Sequence, residues 1–143
     1  MSKKYSAKDL GELIIADMKD RGINYIDFID IEELFREVGY DYRCDDHDCL
    51  RLSAFDNVYL WLGWTSEAQD AIKYMMRNGF HMHGIAPTRY YLKGKVPNMP
   101  EINKLKSYKK PHWYPIVIER DYDGMKIKDE ELFKEQCARE DNR

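Results

Sequence analysis

The chain has 143 residues, of which 43% are hydrophobic and 34% charged, and its net charge is −3. This length suits one core, so we expect a single domain over residues 1–143, and the apolar content excludes disorder as the main state. No apolar run approaches the ~20 residues of a membrane span, and the first residues lack the apolar segment of a signal peptide. Three cysteines, an odd number, argue against a secreted disulfide framework, so we expect a cytoplasmic protein.

The first predicted element is an amphipathic helix that begins after Ser6. Ser6 and Asp9 have the spacing of a capping box, and Gly22 supplies a C-terminal stop. The apolar residues of this segment recur at helical spacing and define its core face: Leu10, Leu13, Ile14 and Met18. Residues 23–29 follow as an apolar run, which is either extended or a tight turn.

A second, shorter helix is predicted between Asp30 and Gly39. Asp30 is the expected N-cap, with Glu33 three residues later, and Gly39 is the expected stop. Its apolar stripe consists of Ile31, Leu34, Phe35 and Val38. Residues 40–48 are polar and acidic, which indicates a loop.

The centre of the chain predicts a strand, a helix and a hairpin in succession. Residues 58–64 are apolar throughout, as in a strand that is buried on both faces. Residues 66–78 have the apolar stripe of a helix, with Ser66 as the expected N-cap. Residues 80–96 predict a β-hairpin whose tip, at residues 93–95, is basic.

The last third predicts two short strands and a helix. Residues 116–118 and 125–127 flank an Asp-rich turn, a final helix begins at Asp129, and residues 139–143 are frayed. Together the elements predict an α+β fold, in which a small antiparallel sheet is covered by three or four short helices.

Charge is divided unevenly along the chain. Residues 1–70 carry 8 Lys and Arg against 16 Asp and Glu, whereas residues 71–113 carry 9 basic residues and 1 acidic residue. Residues 114–143 are again acidic, with 6 basic and 9 acidic residues. A basic block between acidic flanks is typical of a surface that meets a polyanion. Charge pairing between the two halves is the alternative.

The order of a helix followed by a basic hairpin resembles the centre of winged-helix proteins. The sequence around residues 83–92 and 110–113 is also similar to small uncharacterised proteins of phages and mobile elements. The winged-helix resemblance implies a helix in the major groove and a hairpin that tracks phosphates, so we expect a regulatory DNA-binding protein that uses residues 66–113. The side chains expected to contact DNA are Gln69, Lys73, Tyr74, Arg77, Arg89, Lys93, Lys95, Lys109 and Lys110.

The alternative function is a protein-interaction module or inhibitor, such as a phage or mobile-element product that binds a host protein. In that case the acidic residues 1–70 would form the contact surface, even as a mimic of nucleic-acid charge. The sequence leaves the oligomeric state open, and it predicts no membrane partner.

Two groups of side chains have the donor atoms of metal ligands. Cys44, His47 and Cys49 lie together in the acidic loop, while His81 and His83 alternate on one side of a strand. Either group would need the other to complete the four ligands of a structural zinc site, and no local pattern brings the two together, so we expect no metal and no cofactor. The motifs of the common hydrolase and nucleotide-binding families are absent, so we expect no enzyme. A nuclease that uses histidine as general base is the alternative.

Overall fold

The computed structural model describes residues 4–44 and 49–121. Within these ranges the chain has an α+β fold with four helices and two three-stranded sheets. The helices are α1 (Ala7–Arg21), α2 (Phe28–Glu37), α3 (Ser66–Arg77) and α4 (Thr88–Lys93). The strands are β1 (Tyr25–Ile26), β2 (Leu50–Arg51), β3 (Val58–Trp61), β4 (Phe80–Gly84), β5 (His112–Trp113) and β6 (Ile116–Arg120). The strand expected at residues 125–127, the helix from Asp129 and the frayed end lie outside the described residues.

Helix α1 begins and ends where the sequence predicts. The Ser6 hydroxyl accepts a hydrogen bond from the Asp9 amide at 3.1 Å, and the Asp9 carboxylate accepts one from the Ser6 amide at 3.1 Å. Gly22 ends the helix with a φ of 66°, a left-handed conformation that glycine adopts without strain. The fully buried residues of the predicted face are Leu10, Ile14 and Met18.

The first sheet has the order β1-β6-β4, and its strands are antiparallel. Its inner face is apolar because Met82 and Ile26 both lie beside Ile118 in the strand register. Alternation along the strands places His81 and Glu119, which are direct partners in that register, on the opposite face.

The second sheet has the order β2-β3-β5, with β2 antiparallel and β5 parallel to β3. The prediction of one antiparallel sheet is therefore wrong for the described residues. Strand β3 is largely buried, as the apolar run predicts, but it ends at Trp61 and not at Trp64. Gly63, with a φ of 80°, turns the chain there, and Trp64 packs in the core outside the strand.

The N-caps of α2 and α3 differ from those predicted. Asp27, and not Asp30, caps α2, because its Oδ1 accepts the Asp30 amide hydrogen at 2.7 Å. Thr65, and not Ser66, caps α3 by accepting from the Ala68 amide at 3.2 Å. Each helix start has more than one residue type suited to capping, so local preference alone cannot select the position.

The hairpin predicted after α3 is wrong, because residues 88–93 form helix α4. Pro87 precedes it in a helical conformation, and Gly94 ends it in a left-handed one. Tyr90 is fully buried, and its hydroxyl donates to the Ile116 carbonyl at 2.7 Å and accepts from the Phe28 amide at 3.2 Å. Strand β4 pairs with β6, 32 or more residues further on, so a winged-helix centre is not confirmed.

Helices α1 and α3 contact each other where Gly11 faces Tyr74. A Cβ atom on Gly11 would lie 2.4 Å from Cδ1 of Tyr74, so the aromatic ring rests directly on the glycine. The Tyr74 hydroxyl donates to the Glu12 carboxylate, one residue further along α1. The Tyr74 ring can therefore lie against α1 because Gly11 has no side chain.

Gly11→Ala is expected to lower the free energy of unfolding by about 1–3 kcal/mol, because the new methyl group overlaps the ring near its attachment point. The better helix propensity of alanine, worth up to ~1 kcal/mol, offsets only part of this loss. Urea denaturation followed by tryptophan fluorescence measures the change.

The matched control places Gly11→Ala in a Tyr74→Ala background. There the substitution should be neutral or stabilising, because the ring that it meets is gone. An equal loss of stability in both backgrounds would contradict this account of the contact.

Candidate functional site

Two acidic residues at the start of α2 bind the cations of α4. Asp27 is fully buried, and its Oδ2 accepts hydrogen bonds from Arg89 Nε at 2.6 Å and from Lys93 Nζ at 2.5 Å. Lys93 also donates to Asp30 Oδ1 at 2.8 Å. Two cations expected to contact phosphates are therefore paired with carboxylates from the first half of the chain.

Burial by itself raises the pKa of Asp27, but the hydrogen bonds from Lys93, Arg89 and the Asp30 amide outweigh it. The pKa of this carboxyl therefore lies below its ordinary value. Desolvation lowers the pKa of Arg89, but its bond to Asp27 outweighs that effect and raises the pKa. Both groups are thus charged at neutral pH.

Glu32 of α2 is a second buried carboxylate with several partners. Its Oε2 accepts the indole N–H groups of Trp61 at 2.9 Å and Trp64 at 2.8 Å, and its Oε1 accepts from Lys95 Nζ at 2.5 Å. The Lys95 ammonium also lies 5.9 Å from the ring centre of Tyr42. Lys95, another expected DNA contact, is therefore paired with a buried carboxylate, although half of its side chain is exposed.

The outer face of α3 is only partly available to a ligand. Gln69 donates its side-chain amide to the backbone just before the helix, and Lys73 lies 3.8 Å from Asp70. Tyr74 packs on α1, so α3 does not stand alone as a groove-reading helix would. Arg77, at the end of α3, is exposed.

The remaining basic side chains of residues 71–113 lie on the segment of residues 103–111, here named the lysine loop. Its four lysines are exposed, and none forms an ion pair within the described ranges. They are Lys104, Lys106, Lys109 and Lys110. Of the expected DNA contacts, Lys109 and Lys110 belong to this group.

Backbone hydrogen bonds anchor the lysine loop to the chain between β2 and β3. The Tyr108 amide donates to the Asp56 carbonyl at 2.9 Å, and the Asn57 side chain donates to the Tyr108 carbonyl at 2.8 Å. The Tyr108 hydroxyl closes the loop on itself by donating to the Lys104 carbonyl at 2.7 Å. The tyrosine ring stacks on His112, with ring centres 4.0 Å apart.

A polar cleft of about 540 Å³ lies between the lysine loop and residues 51–57. Arg51 and Lys109 contribute positive charge to its lining, and Asp56 is the acidic residue among them. The cleft extends the cationic surface of the loop towards β2.

The two histidines of β4 lie beside two carboxylates of β6 and the residue after it. His81 Nε2 is 3.3 Å from Glu119 Oε2, and His83 Nδ1 is 3.7 Å from the same oxygen. His81 Nδ1 is 2.5 Å from Asp121 Oδ1. The sequence singled out both histidines but missed Glu119 and Asp121, because no local pattern links residues 36 or more positions apart.

The cysteine pair does not join this cluster in the described residues. Cys44 and Cys49 are half-buried and form no disulfide, and His47 lies outside the described ranges. The described residues that could hold a metal ion together are His81, His83 and Glu119.

Comparison of the chain with models of protein families, with curated proteins and with solved structures finds no match. Among the described residues, no helix has the length and apolar character needed to cross a membrane. Function is therefore inferred from the geometry of the described side chains.

Asp27→Asn is expected to lower the free energy of unfolding by about 2–3 kcal/mol, because it removes the charge that Arg89 and Lys93 share but keeps a capping side chain. The loss is smaller than for a wholly buried pair because the two cations are 32% and 31% exposed. Urea denaturation at pH 7 measures it.

The same substitution should change the response to acid. A lowered carboxyl pKa contributes stability above the ordinary value of 3.8, and this contribution is lost as the pH falls through the lowered pKa. The wild type should therefore lose stability more steeply below about pH 4 than the variant does. Asp17→Asn, at a helical surface pair with Arg21, is the matched control and should unfold like the wild type. Parallel acid profiles for wild type and Asp27→Asn would contradict the assignment.

Proposed function

We propose that the protein binds DNA through the lysine loop, with little dependence on base sequence. The observation that carries the proposal is the set of four exposed lysines within residues 104–110, none of which forms an ion pair in the part of the chain that the structure describes. Lys106 lies over the Tyr108 ring, 5.1 Å from its centre, and keeps its charge exposed. Phosphates are the natural partners of such a cluster, since each lysine that contacts one releases condensed counterions.

The anchoring of the loop supports binding to phosphates without base reading. Hydrogen bonds at Tyr108 hold the backbone in place, so little loop entropy is lost on association. Lysine acts on phosphate as a point charge and lacks the planar fork that arginine presents to guanine. The Tyr108 ring already stacks on His112, so one of its faces is not available to a base.

The proposed contact surface differs from the predicted one. Arg89 and Lys93 would have to leave buried Asp27 to reach a phosphate, and the separation of such a pair costs several kcal/mol. The lysine loop and Arg51 require no such exchange. DNA binding therefore remains the proposal, but without a wing and without the cations of α4.

The test is a fluorescence-anisotropy titration of labelled duplex and single-stranded DNA at 50 and 200 mM salt. If all four lysines contact phosphates, affinity should fall about 100-fold between these concentrations, since log K falls by ~0.9 per contact for each tenfold rise in salt. Changing Lys104, Lys109 and Lys110 to Gln should abolish most of the binding and reduce the salt dependence.

The matched control changes Lys4, Lys8 and Lys19 to Gln, which removes the same charge from exposed positions on and next to α1. This variant should bind DNA nearly as the wild type does. No binding by the wild type at 50 mM salt would refute the proposal. Equal losses in the two triple variants would show that net charge, and not the lysine loop, governs retention.

A second candidate function is protein binding through α4. Leu92 is 83% exposed and Tyr91 is 61% exposed, which is unusual for large apolar side chains on one short helix. The acidic surface first considered for this role is reduced, because Asp27 and Glu32 are used internally. Comparing the proteins cross-linked to the wild type and to a Tyr91→Ser, Leu92→Ser variant tests this candidate. If the variant cross-links to the same proteins as the wild type, α4 is not the binding surface.

A further inference from the structure

We infer that His81, His83 and Glu119 form a binding site for one divalent transition-metal ion, with Asp121 positioning His81. The inference is independent of DNA binding, because the site lies on the outer face of the β1-β6-β4 sheet and uses none of the lysine-loop residues.

The strand register creates the convergence. His81 lies directly opposite Glu119 in the antiparallel pair of β4 and β6, and His83 follows two residues later on the same face. One ligand atom from each of the three residues lies within 4.8 Å of the others. A tetrahedral ion with bonds of about 2.1 Å separates its ligand atoms by about 3.4 Å. His81 Nε2 and His83 Nδ1 lie 3.3 and 3.7 Å from Glu119 Oε2, close to that value.

The hydrogen bond to Asp121 leaves the other ring nitrogen of His81 available to a metal. When Nδ1–H donates to this carboxylate, Nε2 carries a lone pair that points towards Glu119, which also offers only lone pairs. Nε2 is buried and has no hydrogen-bond partner among the described residues. A buried acceptor in this state is unfavourable, and a bound cation would satisfy both groups. The carboxylate–histidine–metal arrangement has this same order of contacts.

A proton on Nε2 is the competing explanation for the contacts of His81. It would create an imidazolium between Glu119 and Asp121 without any metal. It involves His81 alone, whereas Nδ1 of the half-exposed His83 also lies 3.7 Å from Glu119 Oε2. Two imidazoles that approach one carboxylate oxygen are the arrangement that a shared metal ion would use.

The donor set and the surroundings define the class of metal. Two imidazoles and one carboxylate suit Zn²⁺, Fe²⁺ and neighbouring first-row ions better than Ca²⁺ or Mg²⁺. Three protein ligands leave at least one coordination position open. His83 and Glu119 line a cleft of about 450 Å³ that Tyr25 and Arg89 also line, so the open position faces solvent and can take water or a small anion.

The test is calorimetric titration of the chelator-treated protein, residues 1–143, with Zn²⁺, supported by the visible absorption of Co²⁺ as a coordination probe. The wild type should bind one ion per chain. His83→Ala and Glu119→Gln should each weaken binding by at least about 100-fold, and Asp121→Asn by about 10–100-fold, as expected for loss of a positioning carboxylate. Circular dichroism should show that each variant remains folded.

Two control variants separate this site from the other donors in the chain. His112→Ala removes a histidine outside the cluster, and Cys44→Ser with Cys49→Ser removes the two thiols of the acidic loop. Both should bind Zn²⁺ as the wild type does. Absence of Zn²⁺ and Co²⁺ binding by the wild type would overturn the inference in favour of the imidazolium. Undiminished binding by His83→Ala, or loss of binding in the cysteine variant, would overturn it in favour of another site.

Discussion

Two buried carboxylates of α2 connect parts of the chain that are distant in sequence. Asp27 pairs with Arg89 and Lys93, and Glu32 binds both Lys95 and the two indole groups of Trp61 and Trp64. Isolated charges at these positions would cost several kcal/mol, so each depends on its partners. Helix α4 also contributes the Tyr90 hydroxyl, which links the start of α2 to the first residue of β6. Helix α4 is thus held where it can join α2, β3 and β6.

These ion pairs limit which basic residues of the segment 71–113 can bind a polyanion. Residues 71–113 have a net charge of +8, but the structure divides that charge into a paired set and an unpaired set. The cations near α4 neutralise acids from the first half of the chain, whereas the lysine loop lies on exposed backbone with no carboxylate in ion-pair distance among the described residues. Net segment charge is therefore a poor measure of surface charge, and the position of each partner decides which cations can meet a polyanion.

The histidine cluster shows the same dependence on pairing between distant residues. His81 and Glu119 come from strands that are 32 or more residues apart, and the register of β4 with β6 alone makes them neighbours. A shift of one residue would place the apolar side chains of one strand opposite the histidines of the other. The inner face of this sheet is apolar, so burial of Met82 and Ile118 selects the register that also brings the ligand atoms together.

The sequence by itself determined the elements whose signals are local. The capping box at Ser6, the apolar stripes of α1 and α3, the apolar run of β3 and the alternation of apolar residues and histidines in β4 all act between residues at most a few positions apart. Residues 88–93 carry no such decisive signal, because a short apolar stretch fits both a strand and a helix. Burial of Tyr90 and the pairing of Lys93 with Asp27 accompany the helix.

Only the tertiary structure decided the cap of α2, the division of the basic residues and the grouping of His81 with Glu119. The deciding contacts join residues that helical or strand spacing cannot bring together, and for the cap they are the pairs of Asp27 with Arg89 and Lys93. Capping and periodicity carry information over about one helical turn, whereas an ion pair or a strand register is fixed by which surfaces the whole chain buries.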